Sequence, residues 1–263
     1  MTSERWGILG LQETHDARED ASWLERSNNK FWVFNNPGTS RARGTAIVFN
    51  RYIVKGPTTK EEVTHEILIE GRAQLLKFKW RDEESITVVN VYAPNVVLRA
   101  AEFYKELERK LQGRRVHFMM GDFNHVEMEI DRFPVRKPSS PAATDALKSL
   151  REAKGLWDGW RLENEATRQY TWSSLYEDSK GRTLRARLDR ILTTPGMMGR
   201  AVEWKFESHR GISDHSPVLV TIRNRATPEV GGNRWRMRPE DLQDANTVSD
   251  LLATLKKTET TMK

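Results

Sequence analysis

The sequence predicts an α/β domain built on buried β-sheets. Short runs of apolar and β-branched residues, each of strand length, recur from the first residues to Ile222. Between some of these runs, apolar residues recur at three- and four-residue spacing, which is typical of amphipathic helices. Several of the strand-like runs are too apolar to have a water-facing side, so both faces of their sheets are expected to be covered. Strands that alternate with helices in this way indicate a domain of two layers or more.

Eight runs are predicted to form the strands. The fourth has Glu70 and Gly71 near its centre, where a hairpin turn would divide it into two antiparallel strands. The runs are WGILGLQ (6–12), FWVF (31–34), TAIVFN (45–50), HEILIEGRAQLLKFKW (65–80), ITVVNVY (86–92), VHFMMG (116–121), RLDRILTT (187–194) and SPVLVTI (216–222).

Two segments are predicted to form helices that cover these strands. Residues 98–112 repeat apolar side chains at helical spacing. Residues 140–155 have Ser140 as an N-cap, Pro141 in the first turn and Gly155 just past the end. Charged and turn-forming residues at 125–140 and 173–186 predict loops.

The last forty residues have a different composition from the rest of the chain. The strand pattern stops at Ile222, TPEVGGN resembles a linker, and PEDLQDANTVSDLLATLKK is predicted to form a polar, exposed helix. We therefore expect a domain over residues 1–224, followed by an appendage over 225–263.

Composition excludes several classes of protein. No stretch approaches 18 consecutive apolar residues, so no membrane span is expected, and the first residues lack the pattern of a signal peptide. With no cysteine, the chain has neither disulfides nor thiolate metal sites, which favours an intracellular location. The 43 basic and 37 acidic residues give a net charge of +6, which is compatible with a polyanionic partner.

Polar side chains collect where the predicted strands end or begin. In α/β sheets, functional groups gather at such ends because a rigid scaffold holds the loops there. One acid at a strand end carries little information, but this chain has several, together with neutral donors and a histidine. They are Glu13, Asn90, Tyr92, Asn95, Asp122, Asn124, Asp189, Asp214 and His215.

This set of residue types suits the hydrolysis of a phosphodiester. Without cysteine ligands, the metal would be a hard cation held by oxygen, Mg²⁺ or Mn²⁺. Asp122 could orient or deprotonate the attacking water, and His215, paired to a carboxylate, could donate to the phosphorane oxygens. Asn124 and Tyr92 supply neutral donors to the same developing charge.

Five motifs in order resemble the endonuclease/exonuclease/phosphatase superfamily, which includes deoxyribonuclease I and the apurinic endonucleases. They are LQETH, NVYAP, GDFN, RLDRIL and SDHSPV, and they span roughly residues 6–222. The resemblance implies a four-layered α/β sandwich with two facing sheets. It also implies that Glu13 is a metal ligand, that Asp122 orients the water, and that Asn124 and Tyr92 donate to phosphate. By the same resemblance, Asp189 would orient His215, and Asp214 would be a further carboxylate on the metal side.

The superfamily also contains phosphoinositide phosphatases and sphingomyelinases, so the fold alone leaves the substrate open. Three segments are similar to the endonuclease of non-LTR (LINE-type) retrotransposons: GDFNHVEMEIDRF, QYTWSS and NRWRMRPEDLQD (233–244). The third resembles the segment that joins this endonuclease to its reverse transcriptase. The resemblance implies DNA as the partner, a reverse transcriptase domain in the same polyprotein and a nuclear location. Arginines expected to bind the DNA backbone are Arg41, Arg43, Arg182, Arg185, Arg187 and Arg190.

The chain departs from the family pattern at its start. The family opens with a strand carrying an asparagine and then a helix, whereas only twelve residues precede Glu13 here. The expectation is therefore a deoxyribonuclease I-like sandwich that lacks its first strand and helix. Three functions stay open: an active Mg²⁺-dependent endonuclease that nicks DNA, a catalytically inactive fragment that binds nucleic acid, and an apurinic-type repair endonuclease.

Overall fold

Strands and helices alternate along the chain in the computed structural model, which describes residues 6–16, 29–39, 42–81, 85–136, 140–207 and 213–223. The strands within these ranges are β1 (Ile8–Gln12), β2 (Phe31–Asn36), β3 (Thr45–Asn50), β4 (Thr64–Ile69), β5 (Ala73–Lys79), β6 (Ser85–Tyr92), β7 (Phe118–Asp122), β8 (Arg132–Phe133), β9 (Trp157–Asp158), β10 (Trp172–Glu177), β11 (Thr183–Ala186), β12 (Asp189–Thr193), β13 (Ala201–Phe206) and β14 (Val218–Ile222). The helices are α1 (Val97–Lys110), α2 (Pro141–Lys154), α3 (Gly159–Glu163) and α4 (Pro195–Met198), and 3₁₀ turns cover Lys60–Glu62 and Glu129–Asp131.

One sheet has six strands in the order β4-β5-β6-β7-β12-β9. Its strands pair antiparallel, except that β6 and β7 run parallel and are joined through α1. Helices α1 and α2 pack on one face, where Tyr104 and Leu147 are fully buried against Val89, Met119 and Leu192 of the sheet. The prediction that the central strands are covered on both sides is confirmed.

Helix α2 begins and ends as the sequence predicts. The Ser140 side chain accepts a hydrogen bond from the Ala143 amide at 3.1 Å, and Pro141 occupies the first turn. Gly155 follows the last turn with φ 59°, the left-handed conformation that favours glycine. These local signals fix the helix that backs the six-stranded sheet.

A second layer of strands faces the other side of the six-stranded sheet. It consists of a three-stranded sheet, β1-β3-β2, and a separate pair, β13-β14. Phe34 and Phe49 from the three-stranded sheet meet Leu76, Phe78 and Val88 from the six-stranded sheet in one apolar cluster. The chain is therefore an α/β sandwich with two facing layers of strands, as predicted. The described residues form three of the four expected layers, one of helices and two of strands.

Several regions differ from the prediction. The predicted loop 125–140 contains a 3₁₀ turn and β8, and the short elements β9, α3 and α4 have too few residues to show a periodic pattern in the sequence. Residues 173–186 were expected to form a loop, but β10 and β11 make an antiparallel hairpin there, and β8 pairs with β11. The hairpin is largely exposed to solvent, so its sequence lacks the alternation of apolar and polar residues that predicts a strand. Leu175 and Tyr176 near its tip are 78% and 83% exposed. Strand β13 was also missed, since polar residues interrupt AVEWKF.

All described residues belong to one compact unit, Met1–Arg223. The predicted appendage at 225–263 lies outside the described residues. Among the described helices, none has the length and apolar character that crossing a bilayer requires.

Candidate active site

Three neighbouring strands bring the central polar residues together. Strands β6 and β7 are parallel, so both end at the same edge of the sheet, and Tyr92 lies directly opposite Asp122. Strand β12 runs antiparallel to β7 and begins at that edge, which places Asp189 opposite Asp122 on the other side. Tyr92, Asp122 and Asp189 thus form a row across three hydrogen-bonded strands.

A glycine, Gly121, separates the apolar residues of β7 from Asp122, and no larger residue fits there. Its φ is +133°, and a Cβ atom there would lie 2.0 Å from the Val91 carbonyl oxygen of β6. Any larger residue would push β7 away from β6. The glycine therefore allows the close strand contact that sets Asp122 beside Tyr92.

The row opens into a cleft of about 420 Å³, whose walls also include residues of β8, β10 and β11. All but one of the predicted catalytic and metal-binding residues line it; the exception, Asp189, is hydrogen-bonded to one of them. Lining the cleft are Glu13, Tyr92, Asp122, Asn124, Asp214 and His215, along with Asn95, Arg132, Arg136, Trp172 and Arg185.

Glu13 reaches the cleft from the end of β1, where its φ is 53°. The Tyr92 hydroxyl donates a hydrogen bond to Glu13 Oε1. Burial of the phenol, with the hydrogen bond and charge of Glu13, raises the pKa of Tyr92 well above its usual value. Tyr92 therefore stays protonated and acts as a donor that fixes the carboxylate.

A buried asparagine secures the strand that carries Glu13. Asn90 Nδ2 donates to the Leu11 and Ala46 carbonyls at 3.0 and 3.1 Å, and Asn90 Oδ1 accepts from Gln12 Nε2 at 2.7 Å. Asn90 belongs to β6, whereas its partners belong to β1 and β3. It therefore joins the two layers of strands directly beside the site.

Asp122 is buried at the base of the cleft and accepts a hydrogen bond from the Asn124 amide at 2.8 Å. Burial and the neighbouring charge of Asp189 raise the pKa of Asp122 to about 7, against the opposing effect of His215. A carboxyl group with a pKa near neutrality is suited to exchange a proton with bound water.

Asp189 and His215 form the pair that the resemblance implies. Asp189 Oδ2 accepts a hydrogen bond from His215 Nδ1 at 2.8 Å. Burial lowers the pKa of His215, but the hydrogen bond and charge of Asp189, with the charges of Asp122 and Asp214, raise it to about 9. The imidazole is thus held as a cation, with Nε2 as the ring atom left to donate.

Two residues that the sequence did not single out support Asp189 and Asp214. Thr171 Oγ1 accepts from the Leu188 and Asp189 amides at 2.9 and 3.0 Å. Trp172 Nε1 donates to Asp214 Oδ2 at 2.8 Å. Both lie in the QYTWSS segment, so the signal was present, but only the fold shows which side chains they support.

The oxygen donors fit a hard divalent cation. Glu13, Asp122 and Asp214 line the same cleft, and an Mg²⁺ ion commonly takes one or two carboxylates while water and substrate phosphate complete its shell. Within the described ranges no three Asp, Glu or His side chains converge closely enough to enclose a metal by themselves. The set therefore suits an open cation site rather than a closed structural one.

The predicted DNA-binding arginines divide into two groups. Arg185 is exposed and lines the cleft. Arg43 is exposed, and its carbonyl accepts from the His15 amide at 3.1 Å, close to Glu13. Arg182 forms a two-point ion pair with Asp178 in the hairpin, and Arg41 lies outside the described residues.

For Arg187 and Arg190 the prediction of a DNA contact is wrong. Both are 3% exposed. Arg187 binds Asp131 through two hydrogen bonds of 2.8 Å and Asp158 at 2.7 Å. Arg190 binds Glu127 at 2.5 Å and the His125 carbonyl at 2.6 Å. Carboxylates already compensate these charges, so the two arginines hold the loop after β7 against the segment 187–190.

Comparison with known proteins agrees with this architecture. A family model described as "Endonuclease/Exonuclease/phosphatase family" matches residues 2–215. No curated protein is detectably similar in sequence.

Several solved structures share the fold. An AP endonuclease from Archaeoglobus fulgidus is 20% identical, with a TM-score of 0.64 over 82% of this chain and 88% of that one. The 3′ phosphatase NExo from Neisseria, bound to a product DNA hairpin, is 19% identical, with a TM-score of 0.63 over 82% of this chain and 89% of that one. The endonuclease domain of TRAS1, a telomere-specific non-LTR retrotransposon, is 18% identical, with a TM-score of 0.52 over 74% of this chain and 81% of that one.

Proposed function

The chain belongs to the endonuclease/exonuclease/phosphatase family, and from that premise we propose that it is a divalent-metal-dependent endonuclease that hydrolyses phosphodiester bonds of DNA. One observation carries the proposal above all: Asp122 and Asp189 lie side by side on paired strands, and Asp189 is hydrogen-bonded to His215 in the same cleft. The arrangement places Asp122, a candidate base, near the His215 cation, a candidate for stabilising negative charge on the phosphoryl oxygens.

In the proposed reaction, Asp122 orients a water molecule and takes its proton as the water oxygen attacks phosphorus. The bond between phosphorus and the leaving oxygen breaks, and the leaving oxygen takes a proton from solvent. The His215 cation stabilises the negative charge that develops on the phosphoryl oxygens. Asp189 keeps His215 charged and oriented through its bond to Nδ1.

Glu13 and Asp214 would hold Mg²⁺ or Mn²⁺, which when bound supplies polarisation of a phosphoryl oxygen and stabilises the leaving oxygen. Tyr92 supports this side of the site, since its hydroxyl donates to Glu13. Asn124 donates through Nδ2 to the Ala93 carbonyl at 2.9 Å, so one amide proton remains for phosphate.

DNA is favoured as the substrate because three arginines, Arg132, Arg136 and Arg185, line the cleft. The net charge of +6 adds a field that attracts a polyanion. The similar fold of a retrotransposon endonuclease domain supports a role in nicking target DNA for retrotransposition. A reverse transcriptase partner and a nuclear location complete the proposal and rest on the sequence resemblance alone. Segment 233–244, which motivated that partner, lies outside the described residues.

The test is a nicking assay on supercoiled plasmid with the full chain. We expect relaxed circles to accumulate with Mg²⁺ or Mn²⁺ and none to form with EDTA. A duplex oligonucleotide with one abasic site is compared with its intact counterpart, which distinguishes an endonuclease that nicks intact DNA from an apurinic-type repair endonuclease. Cleavage confined to the abasic duplex would establish a repair-type enzyme instead. DNA binding without cleavage under any metal would establish the inactive-fragment reading.

A further inference from the structure

Arg132 has an uncompensated guanidinium group in the wall of the cleft. It lies in β8, where its backbone pairs with Ala186 of β11, and its side chain lines the cleft. The Nη1 atom is buried from solvent and has no hydrogen-bond partner among the described residues. A buried charged donor without a partner is costly in a folded protein, which makes such a group a candidate for binding a ligand.

The buried arginines Arg161, Arg187 and Arg190 differ from Arg132 in that each has a carboxylate partner. Arg161 and Arg187 both bind Asp131, and Arg190 binds Glu127, so a carboxylate compensates each of those charges. Arg132 forms no such ion pair within the described residues. Burial lowers the pKa of Arg132, and the adjacent charge of Arg136 lowers it further. An anion is the partner that this corner of the cleft lacks.

The anion would not be the phosphate under attack. Arg132 pairs with Ala186, Ala186 pairs with Trp172 on its other side, and Trp172 in turn pairs with His215. At roughly 4.8 Å per strand spacing, the Arg132 and His215 backbones are on the order of 14 Å apart, so Arg132 occupies a different part of the cleft wall from His215. A substrate that reaches both places needs a second phosphate on the same molecule.

We propose that Arg132, together with Arg136, forms a subsite for a phosphate that neighbours the scissile one. The subsite selects a polynucleotide, which carries consecutive phosphates, over small phosphodiesters, which carry one. The inference rests on the proposed hydrolytic function and adds a specificity-determining residue to it. A guanidinium group fixed in a strand presents a rigid two-point donor to phosphate, which lysine does not.

The experiment compares Arg132→Gln with the unmodified full chain on two substrates. One is a duplex oligonucleotide, and the other is bis(p-nitrophenyl) phosphate, which has a single diester group. For DNA we expect KM to rise by about tenfold, the scale of one charge-assisted hydrogen bond. For the small diester we expect kcat/KM to stay within about twofold. Arg109→Gln is the matched control, because Arg109 is exposed at the end of α1 and does not line the cleft.

Binding of a fluorescent oligonucleotide without metal provides a second readout. Because each neutralised phosphate releases counterions, Arg132→Gln should reduce the slope of log affinity against log salt by about one. Arg109→Gln should leave the slope unchanged. If Arg132→Gln does not fold, as judged by its thermal melt, then Arg136→Gln is tested in the same two assays with the same expectation and a smaller KM effect.

The outcomes separate this inference from the proposed function. Equal losses on both substrates would overturn the subsite, since Arg132 would then act on the chemistry or the fold. An unchanged KM for DNA and an unchanged salt slope would overturn it as well. If the unmodified chain cleaves neither substrate, the hydrolytic function fails, while the salt slope still decides whether Arg132 binds phosphate. Hydrolysis of a soluble phosphoinositide that depends on Arg132, without cleavage of DNA, would overturn the choice of a polynucleotide.

Discussion

The two layers of strands that enclose the site differ in continuity. The six-stranded sheet is unbroken, and its central strands β5, β6 and β7 each pair on both sides. The facing layer is divided: among the described residues, β1 pairs only with β3 and β14 only with β13. Residues of β1 are half-buried throughout, whereas seven of the eight residues of β6 are buried.

The site is divided between these two layers. Tyr92, Asp122 and Asp189 come from the unbroken sheet, while Glu13 and His215 come from the divided layer. Side-chain hydrogen bonds join the halves, from Tyr92 to Glu13 and from His215 to Asp189. Asp122, the candidate base, therefore lies on the unbroken sheet. Glu13, the candidate metal ligand, depends on the hydrogen bond from Tyr92 that crosses between the layers.

The largest loss of activity is expected for Asp122, the candidate base on the unbroken sheet. Asp122→Ala should reduce Mg²⁺-dependent nicking of supercoiled plasmid by at least about 10²-fold, the scale for losing a positioned base. Glu13→Ala, on the divided half, should cause a comparable loss that higher Mg²⁺ partly restores. Initial rates over a series of Mg²⁺ concentrations measure both. Restoration of Asp122→Ala by Mg²⁺, or a small loss in either variant, would contradict this division of roles.

The Asp189–His215 pair tests whether the two halves act as one unit. Asp189→Asn and His215→Ala should each lower the nicking rate by about 10²-fold, and the double variant should be no slower than the worse single variant. Non-additivity is expected because each change disables the same hydrogen-bonded pair. Losses that multiply would show that the residues act independently.

The sequence predicts those features that a local pattern determines. Glu13, Asp122 and Asp214 interrupt apolar runs, so their positions at strand ends are visible without a structure. Ser140 and Gly155 mark the ends of α2 through preferences of single residues. These parts of the fold and of the site follow from neighbours in the chain.

Other features depend on partners distant in sequence. In the sequence, Arg187 and Arg190 resemble solvated charges. In the fold they are buried and paired with Asp131, Asp158 and Glu127, which lie 29 to 63 positions away along the chain. The β10–β11 hairpin is mostly polar because it is exposed, so it lacks the alternation that reveals a half-buried strand. Only the fold reveals these arrangements.

A third prediction concerns Asn90, which ties β1 to the unbroken sheet. Asn90→Ala removes three hydrogen bonds of a buried side chain and should lower the free energy of unfolding by about 1–3 kcal/mol. Asn36 is a matched control: it is also 0% exposed and makes three bonds, to the Ile69 and Ala73 carbonyls and from the Gly71 amide. Both variants should lose similar stability in urea.

The two asparagine variants should differ in where the loss appears. Asn90→Ala should speed hydrogen exchange in Ile8–Gln12 and lower nicking through Glu13, whereas Asn36→Ala should do neither beyond its global effect. Exchange mass spectrometry with peptides from β1 and β7 makes the comparison. Equal exchange in β1 for both variants would show that Asn90 does not secure the divided layer at the site.

The smallest predicted effect is a loss of stability at acidic pH. It should arise beside the unbroken sheet rather than in the divided layer. His125 follows β7, and its Nε2 lies 2.8 Å from Thr144 Oγ1 of α2. Burial, together with the charge of Arg190, lowers the pKa of His125 to about 4. Because the unfolded chain takes up this proton at a higher pH than the folded one, the stabilisation is complete above about pH 6.5 and declines as the pH falls towards 4. Between pH 7 and pH 5, the unmodified protein should lose about 1 kcal/mol more stability than His125→Gln, a figure that allows for partial exposure. Urea unfolding at the two pH values measures the difference. Parallel losses in the two proteins would show that His125 does not titrate as its burial requires.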